Sequence, residues 1–447
     1  MIDHTDSLTP LRTVNTKKKT SSILYKNMSK VFLLEQNLTR SRSNNNKSTE
    51  KNKHVVIAGA TGLAGRATVL HYWQQGWKVT ALSRRIPDYH SLPAHASMIR
   101  SKKTYNHVQI DLLDEETCMT KLKDACENAT HAVYCAAIAL NNVFGVEEAE
   151  KVKNQNVQML INFLNALEAG SSQLKHISCL HGTGYYGSYV RINPIKFPSL
   201  ETRPPVEGNT IFYMAQEEIL RKRQPASTWD YTTWRPPLLV GFGVGSALNI
   251  INAMAVHAVM LREKGLPLTY PGPEITAVQE CLDCRLLAKA FEWAGNNTNK
   301  TKQKTYNVTN GDVFLWPNLW EALAEVYDMK MADPLVKRER LRVTMVNEDR
   351  EKEWKDIVQK YNLLDLKLSE FVGYGFEFTD GSLRANTMGI PTDSFAKYKY
   401  PNKGLLIAGH MSDSIEIRLD GFDGYIRTKQ ALVEIFRTMQ RDRYIPY

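Results

Sequence analysis

His54-Val-Val-Ile-Ala-Gly59-Ala-Thr-Gly62-Leu-Ala-Gly65-Arg-Ala-Thr68 is the stretch whose reading decides the fold. Val55, Val56 and Ile57 are apolar and β-branched, as a strand buried on both faces requires. Three glycines follow at a spacing of three, and a helical run begins near Ala64. Strand, tight turn and helix in that order make a dinucleotide-binding turn. Gly59 permits the turn, Gly62 leaves room for a pyrophosphate, and Gly65 lets helix and strand pack closely. The helix then aims its free N–H groups and the positive end of its dipole at the phosphates. Without a ligand, the same glycines would serve a plain βα turn.

From Val55 onward, strands and helices alternate. Lys78–Leu82, Val108–Ile110, His131–Cys135, Leu174–Ser178 and Tyr231–Trp234 read as further strands. Helical patterns lie between them, the longest over Glu147–Ala169. This alternation predicts an α/β protein with a Rossmann-type, doubly wound parallel sheet. Ligands bind such sheets at the C-terminal ends of the strands. Beyond about residue 245 helical patterns dominate, over Ala247–Lys264, Leu282–Ala294, Trp316–Tyr327, Arg350–Tyr361 and Lys429–Arg441. A short strand at Thr305–Thr309 interrupts them. The predicted organisation is a basic tail over 1–53, a nucleotide-binding domain over 54–245, and a smaller, mostly helical substrate lobe over 246–447.

The net charge of +10 over 447 residues invites a nucleic-acid reading, which its distribution opposes. Residues 1–53 carry eleven Lys and Arg against four Asp and Glu, leaving only a small excess for the rest. No nucleic-acid partner is therefore expected. The tail is polar and charged enough to predict disorder. A mitochondrial presequence is opposed by Asp3, Asp6 and the lack of an arginine-bearing amphipathic face; a dispensable tail, or a start at Met28, is preferred. No apolar run reaches the length of about 18 residues needed to span a membrane, and no secretory signal is read. Six scattered cysteines imply reduced thiols and a cytoplasmic location. Cys281-Leu-Asp-Cys284 has the spacing of a zinc knuckle but no partner pair, so no metal is expected.

Arg84 and Arg85 follow the second strand, where the adenosine ribose of a dinucleotide would lie. A carboxylate there suits two ribose hydroxyls; two guanidiniums suit a 2′-phosphate, so NADPH is the expected cofactor. Asp111, after the third strand, suits the adenine amino group. The Tyr and Lys pair of a short-chain dehydrogenase, four residues apart, is missing near the sheet: Tyr213 is followed at that distance by Glu217. Tyr425 and Lys429 have the spacing but lie in the last helical region, where it reads as chance.

Taken in order, several motifs resemble one family. They are Gly59-Ala-Thr-Gly-Leu-Ala-Gly65, Ser83-Arg-Arg85, His176-Ile-Ser178, Ile211-Phe-Tyr-Met-Ala-Gln-Glu-Glu218, Trp234-Arg-Pro236 with Gly241-Phe242, and Tyr306-Asn-Val-Thr-Asn-Gly-Asp-Val-Phe314. From about Val55 to Tyr447 the chain resembles the atypical extended short-chain dehydrogenase/reductases of the progesterone 5-beta-reductase and iridoid synthase type. The resemblance implies NADPH-dependent reduction of an α,β-unsaturated carbonyl in specialised metabolism. It makes Tyr213 the catalytic phenol, which donates to the substrate carbonyl while hydride reaches the β-carbon. It gives cofactor contacts to Gly59, Thr61, Gly62, Leu63 and Gly65 at the phosphate turn, and to Arg84 and Arg85 at the 2′-phosphate. It gives the adenine pocket to Asp111 and Leu112 and the segment after the fourth strand to Ala136 and Ala137. It puts Leu180 beside the nicotinamide, counts Tyr213 among the cofactor contacts, and adds Leu239, Ser246, Ala247 and Leu248 from the segment beyond the sixth strand.

The chain departs from that pattern where the family carries a second catalytic residue, a Lys after the fifth strand. Here the run is Cys179-Leu-His-Gly182-Thr-Gly184-Tyr-Tyr, with Gly184 at the Lys position. A lost electrostatic contact of this kind costs about 2–4 kcal/mol of barrier. His181, Tyr185 and Arg191 are candidates to replace it. Ala136 and Ala137 stand for bulkier residues, implying a roomier pocket, and Tyr400–Asp420 has no counterpart. Tyr185, Tyr186, the Ala247–Leu261 helix and Phe314 would make an apolar, aromatic pocket for a small carbonyl substrate. Two further functions stand beside the reductase: a non-redox isomerase or cyclase in the same pocket, and an NADPH-binding sensor or interaction protein without turnover. The oligomeric state is open, with a homodimer as a candidate.

Overall fold

Val55 and Ile57 point into one hydrophobic core and Val56 and Ala58 into another, and this alternation sets the layers of the molecule. The strand they form, β1 (His54–Ala58), is buried at every position. The computed structural model describes residues 53–138, 146–187, 198–205, 209, 211–273, 277–333, 339–384 and 411–447. The tail to residue 52, Arg191 and residues 400–410 lie outside these.

β1 is the centre of a seven-stranded sheet in the order β3-β2-β1-β4-β5-β6-β9, parallel throughout. Its other strands are β2 (Lys78–Ser83), β3 (Tyr105–Gln109), β4 (His131–Tyr134), β5 (His176–Leu180), β6 (Asp230–Trp234) and β9 (Lys304–Tyr306). The chain runs outward from β1 to β3, returns, and continues from β4 on the other side. The switch point between β1 and β4 is where a doubly wound sheet opens its ligand crevice. Helix α1 (Leu63–Gln74) crosses one face and packs against α5 (Cys284–Asn296). Helix α2 (Val146–Gly170) covers the other. Helix α3 (Tyr213–Arg223) follows β5 and packs on α2.

Two strands escape the sequence pattern. β7 (Leu238–Val240) and β8 (Cys281–Asp283) pair in parallel as a separate small sheet. At three residues each they are too short for an alternation to register. The later part of the chain therefore contributes β8 and β9 as well as helices. β5 also lies two residues beyond the expected span, because its pairing with β4 begins at His131 opposite His176. Leu180 thus ends the strand.

Helix α4 (Ile250–Glu263) starts three residues later than expected. The side chain of Asn249 accepts from Ile251 N–H at 2.9 Å and caps it there. Ser246, Ala247 and Leu248 are left in the preceding loop. Residues Ile250–Met260 are all buried, so the helix is a core element, packed on α6 (Trp316–Tyr327) and α8 (Gly375–Arg384), with α7 (Glu348–Lys360) and α9 (Thr428–Arg441) further out. No helix among the described residues is long and apolar enough to cross a membrane.

Candidate active site

The three glycines of the first turn differ in what surrounds them. Gly59 has φ +83°, and a Cβ there would stand 2.8 Å from the Cys135 carbonyl, just past β4. A Cβ on Gly65 would collide with the carbonyl of Gly59. Both positions demand glycine for the protein's own packing. Gly62 does not: its φ of −78° suits any residue, and a Cβ would meet only Gly59 O at 3.4 Å. It caps α1 without a side-chain hydrogen bond, and the first turn of α1 holds no acidic residue. An open glycine at an uncapped, acid-free N-terminus fits a dinucleotide pyrophosphate.

Around this turn the structure gathers the loop after β7. Asn249 and Asn252 both donate to Gly243 O at 3.0 Å. A Cβ on Gly243 would lie 3.4 Å from the Leu63 side chain and 3.7 Å from Thr61 O. Leu239 is half-buried on β7, and Ser246–Leu248 continue outward, Leu248 exposed. Arg84 and Arg85 are exposed beyond β2, and neither is ion-paired among the described residues. Arg85 Nη2 reaches Val244 O at 3.5 Å. The pair thus offers two guanidiniums without a carboxylate partner among the described residues, as a 2′-phosphate requires.

Asp111 is exposed after β3, with Oδ1 accepting from Leu113 N–H at 3.0 Å, and Leu112 is buried. Ala136 and Ala137 follow β4, half-buried and exposed. Because β1, β4 and β5 are parallel neighbours, Ala58 stands beside Tyr134 and Tyr134 beside Cys179, one residue before β5 ends at Leu180. Two strand spacings, roughly 10 Å, then separate β1 from β5 along this edge.

Tyr213 opens α3 and is half-buried. Its hydroxyl lies 3.4 Å from where a Cβ of Gly182 would stand, so it reaches the end of β5. It makes no hydrogen bond among the described residues. Burial, with a smaller contribution from Cys179, pushes the phenol up to about 12. The ring stacks on His181 with centroids 5.0 Å apart and planes at 26°. His181 is itself buried, its Nε2 3.5 Å from Cys179 Sγ. Burial first, and then the charge of Arg235, lower its pKa to about 3. As a neutral imidazole it does not replace a Lys charge.

Tyr185 and Tyr186 lie in a 3₁₀ turn over Thr183–Tyr186 with Gly184. They pack on Arg235, which the sequence reading passed over. The available signal was the motif Trp234-Arg-Pro236, which sets a cation directly after a core strand. Phe314 packs edge-on against Trp316, away from these residues in the chain. Cys281 and Cys284 are buried free thiols, and no metal-binding group of His, Cys, Asp and Glu exists among the described residues.

Residues 55–309 match the model of the NAD dependent epimerase/dehydratase family. The chain belongs to that family. It is an NAD(P)-dependent oxidoreductase of the extended short-chain dehydrogenase/reductase kind. An (S)-8-oxocitronellyl enol synthase of Catharanthus roseus is 28% identical over 334 residues, covering 72% of this chain and 80% of the relative. One from Antirrhinum majus is 26% identical over 332 residues, covering 72% and 80%. These relatives bear out the resemblance to the iridoid synthase type. Among solved structures, the UDP-glucose 4-epimerase of Bifidobacterium longum, in complex with NAD+ and UDP, superposes with a TM-score of 0.58 at 14% identity. It covers 88% of this chain and 100% of its own, and it supports the fold.

Proposed function

We propose that this protein is an NADPH-dependent reductase of small α,β-unsaturated carbonyl compounds, acting in specialised metabolism. Residues 54–245 would hold the nucleotide and residues 246–447 would close the substrate side. The observation that carries the reading is Tyr213: a protonated phenol whose hydroxyl makes no hydrogen bond among the described residues, at the end of the strand two places from the phosphate turn.

Gly59, Thr61, Gly62, Leu63 and Gly65 would receive the pyrophosphate, and Arg84 and Arg85 the 2′-phosphate. Asp111, Leu112, Ala136 and Ala137 would border the adenine side. Leu180, Leu239 and Ser246–Leu248 would border the nicotinamide half, with Tyr213. NADPH supplies a hydride when bound. The Tyr213 hydroxyl donates to the substrate carbonyl oxygen, and that hydrogen bond strengthens as negative charge gathers there during reduction at the β-carbon. The resulting enolate takes one proton from water, on oxygen to leave as the enol or on its α-carbon to leave as the saturated carbonyl compound. A phenol at about 12 is a poor general base at neutral pH, which favours this role over oxidation of an alcohol. The two plant relatives, named as enol synthases, support a product of this kind.

The test is consumption of NADPH with a panel of enals and enones. Wild-type protein should turn over some of them, and Tyr213→Phe should lose about a hundred- to a thousandfold in kcat, the effect of one oxyanion donor. Consumption that survives Tyr213→Phe unchanged would overturn the assignment of the phenol. NADPH binding without any consumption would favour the non-redox and sensor functions.

A further inference from the structure

Tyr213 and Glu217 are four residues apart on α3, so they lie one above the other on the same face. Glu217 Oε2 accepts from Arg235 Nη2 at 2.9 Å. Arg235 follows β6 directly and is 1% exposed. Its Nη1 donates to the Tyr186 hydroxyl at 3.3 Å and to Glu201 O at 3.1 Å. The guanidinium carbon stands 3.3 Å from the centre of the Tyr185 ring. Tyr186 in turn donates to Asn307, just past β9, at 2.7 Å. One guanidinium thus joins the helix that carries Tyr213 to the turn after β5, the end of β6 and the segment after β9.

Burying a guanidinium against a half-buried carboxylate such as Glu217 is a poor way to gain stability, because apolar side chains of the same volume often do as well or better. Arg235 is costlier still, since its Nε is buried without a hydrogen-bond partner among the described residues. What the arrangement does provide is direction. The planar, always charged guanidinium fixes Glu217 from one side and stacks on Tyr185 from another. Its charge also reaches His181, the ring that stacks on Tyr213.

We propose that Arg235 is the positioning residue of this site: through Glu217 and through Tyr185 in the turn after β5 it fixes the place of the helix that carries Tyr213. It acts through other residues and does not touch the reacting atoms. The kinetic side of this proposal rests on the reductase reading above; its spectroscopic side does not.

The experiment compares wild type, Arg235→Lys, Arg235→Met and the double variant Arg235→Met/Glu217→Gln. The double variant removes both charges together, so no lone carboxylate is left behind to unfold the protein. Tyrosine rings are 13C-labelled, and the Tyr213 signal is identified by its loss in Tyr213→Phe. It should be one sharp line in wild type, and should move or broaden in Arg235→Met and in the double variant. Arg235→Lys should recover part of the wild-type position, because an ammonium keeps the charge but loses the planar fork. In turnover, Arg235→Met and the double variant should lose about ten- to a hundredfold in kcat, as misplacing a catalytic group does. The KM for NADPH should stay where it is. A Tyr213 line unchanged in all variants, or an unchanged kcat in the folded double variant, would overturn the proposal. Should wild type consume no enal or enone at all, the reductase reading fails, and the Tyr213 line alone decides for or against Arg235.

Discussion

Arg84 and Arg85 illustrate what a single side chain can decide in this molecule. Both are exposed at the end of β2, and no carboxylate among the described residues neutralises them. A free guanidinium pair beside a phosphate turn has little to contribute to folding, since exposed charges are worth little there. Under the proposed function its value lies in a ligand with a further phosphate. Replacing either by Ala should weaken NADPH by about 1.5–3 kcal/mol, roughly ten- to a hundredfold in Kd, and leave NADH and the melting temperature unchanged. Titration of both nucleotides against each variant measures this, and equal losses for NADH would contradict it. The pair was legible in the sequence because it follows a strand closely. Arg235 also follows a strand, within the motif Trp234-Arg-Pro236, but its role was not legible there: its partners Glu217, Tyr186 and Glu201 come from separate segments and meet only in the fold.

The strands of the central sheet carry a device of their own at their starts. His54 begins β1, His131 begins β4 and His176 begins β5. His131 and His176 stand opposite each other in register, their rings 6.4 Å apart. His54 and His176 reach threonine hydroxyls of neighbouring strands, each at 2.9 Å. Burial above all lowers the pKa to about 4 for His54 and His131 and to about 3 for His176. The unfolded chain takes up protons at these residues below about 6.5, while the folded chain refuses them. Stability should therefore be full above that pH and fall as pH drops from there toward 4, by up to about 1.4 kcal/mol per pH unit for each histidine. Thermal melts between about pH 7.5 and 5 should show the decline, and it should shrink in His176→Gln; a flat profile would contradict the assignment. At this scale the sequence was most readable where elements are long or sharply punctuated, as in β1 with its glycines. It was least readable at β7 and β8, three residues each, whose pairing depends on a partner some forty residues away.

For the whole molecule, the parallel order of the sheet is what brings the site together. The phosphate turn after β1, the alanines after β4 and the Tyr213 hydroxyl at the end of β5 share one edge because those strands are neighbours. The alternation of strand and helix announced this arrangement, and the motifs announced the family. What they left unsaid is how the loop after β7 folds back onto the turn, with Gly243 held by Asn249 and Asn252 and seated against Leu63. Under the proposed function this edge delivers hydride to the carbon β to a carbonyl while Tyr213 holds the oxygen. The decisive measurement supplies NADPH deuterated at the transferable position, together with an enal that the protein consumes, and locates the label in the product. The account predicts deuterium on the β-carbon of an enol or of the saturated aldehyde it becomes. Deuterium on the former carbonyl carbon of an allylic alcohol, or a product carrying none, would contradict it.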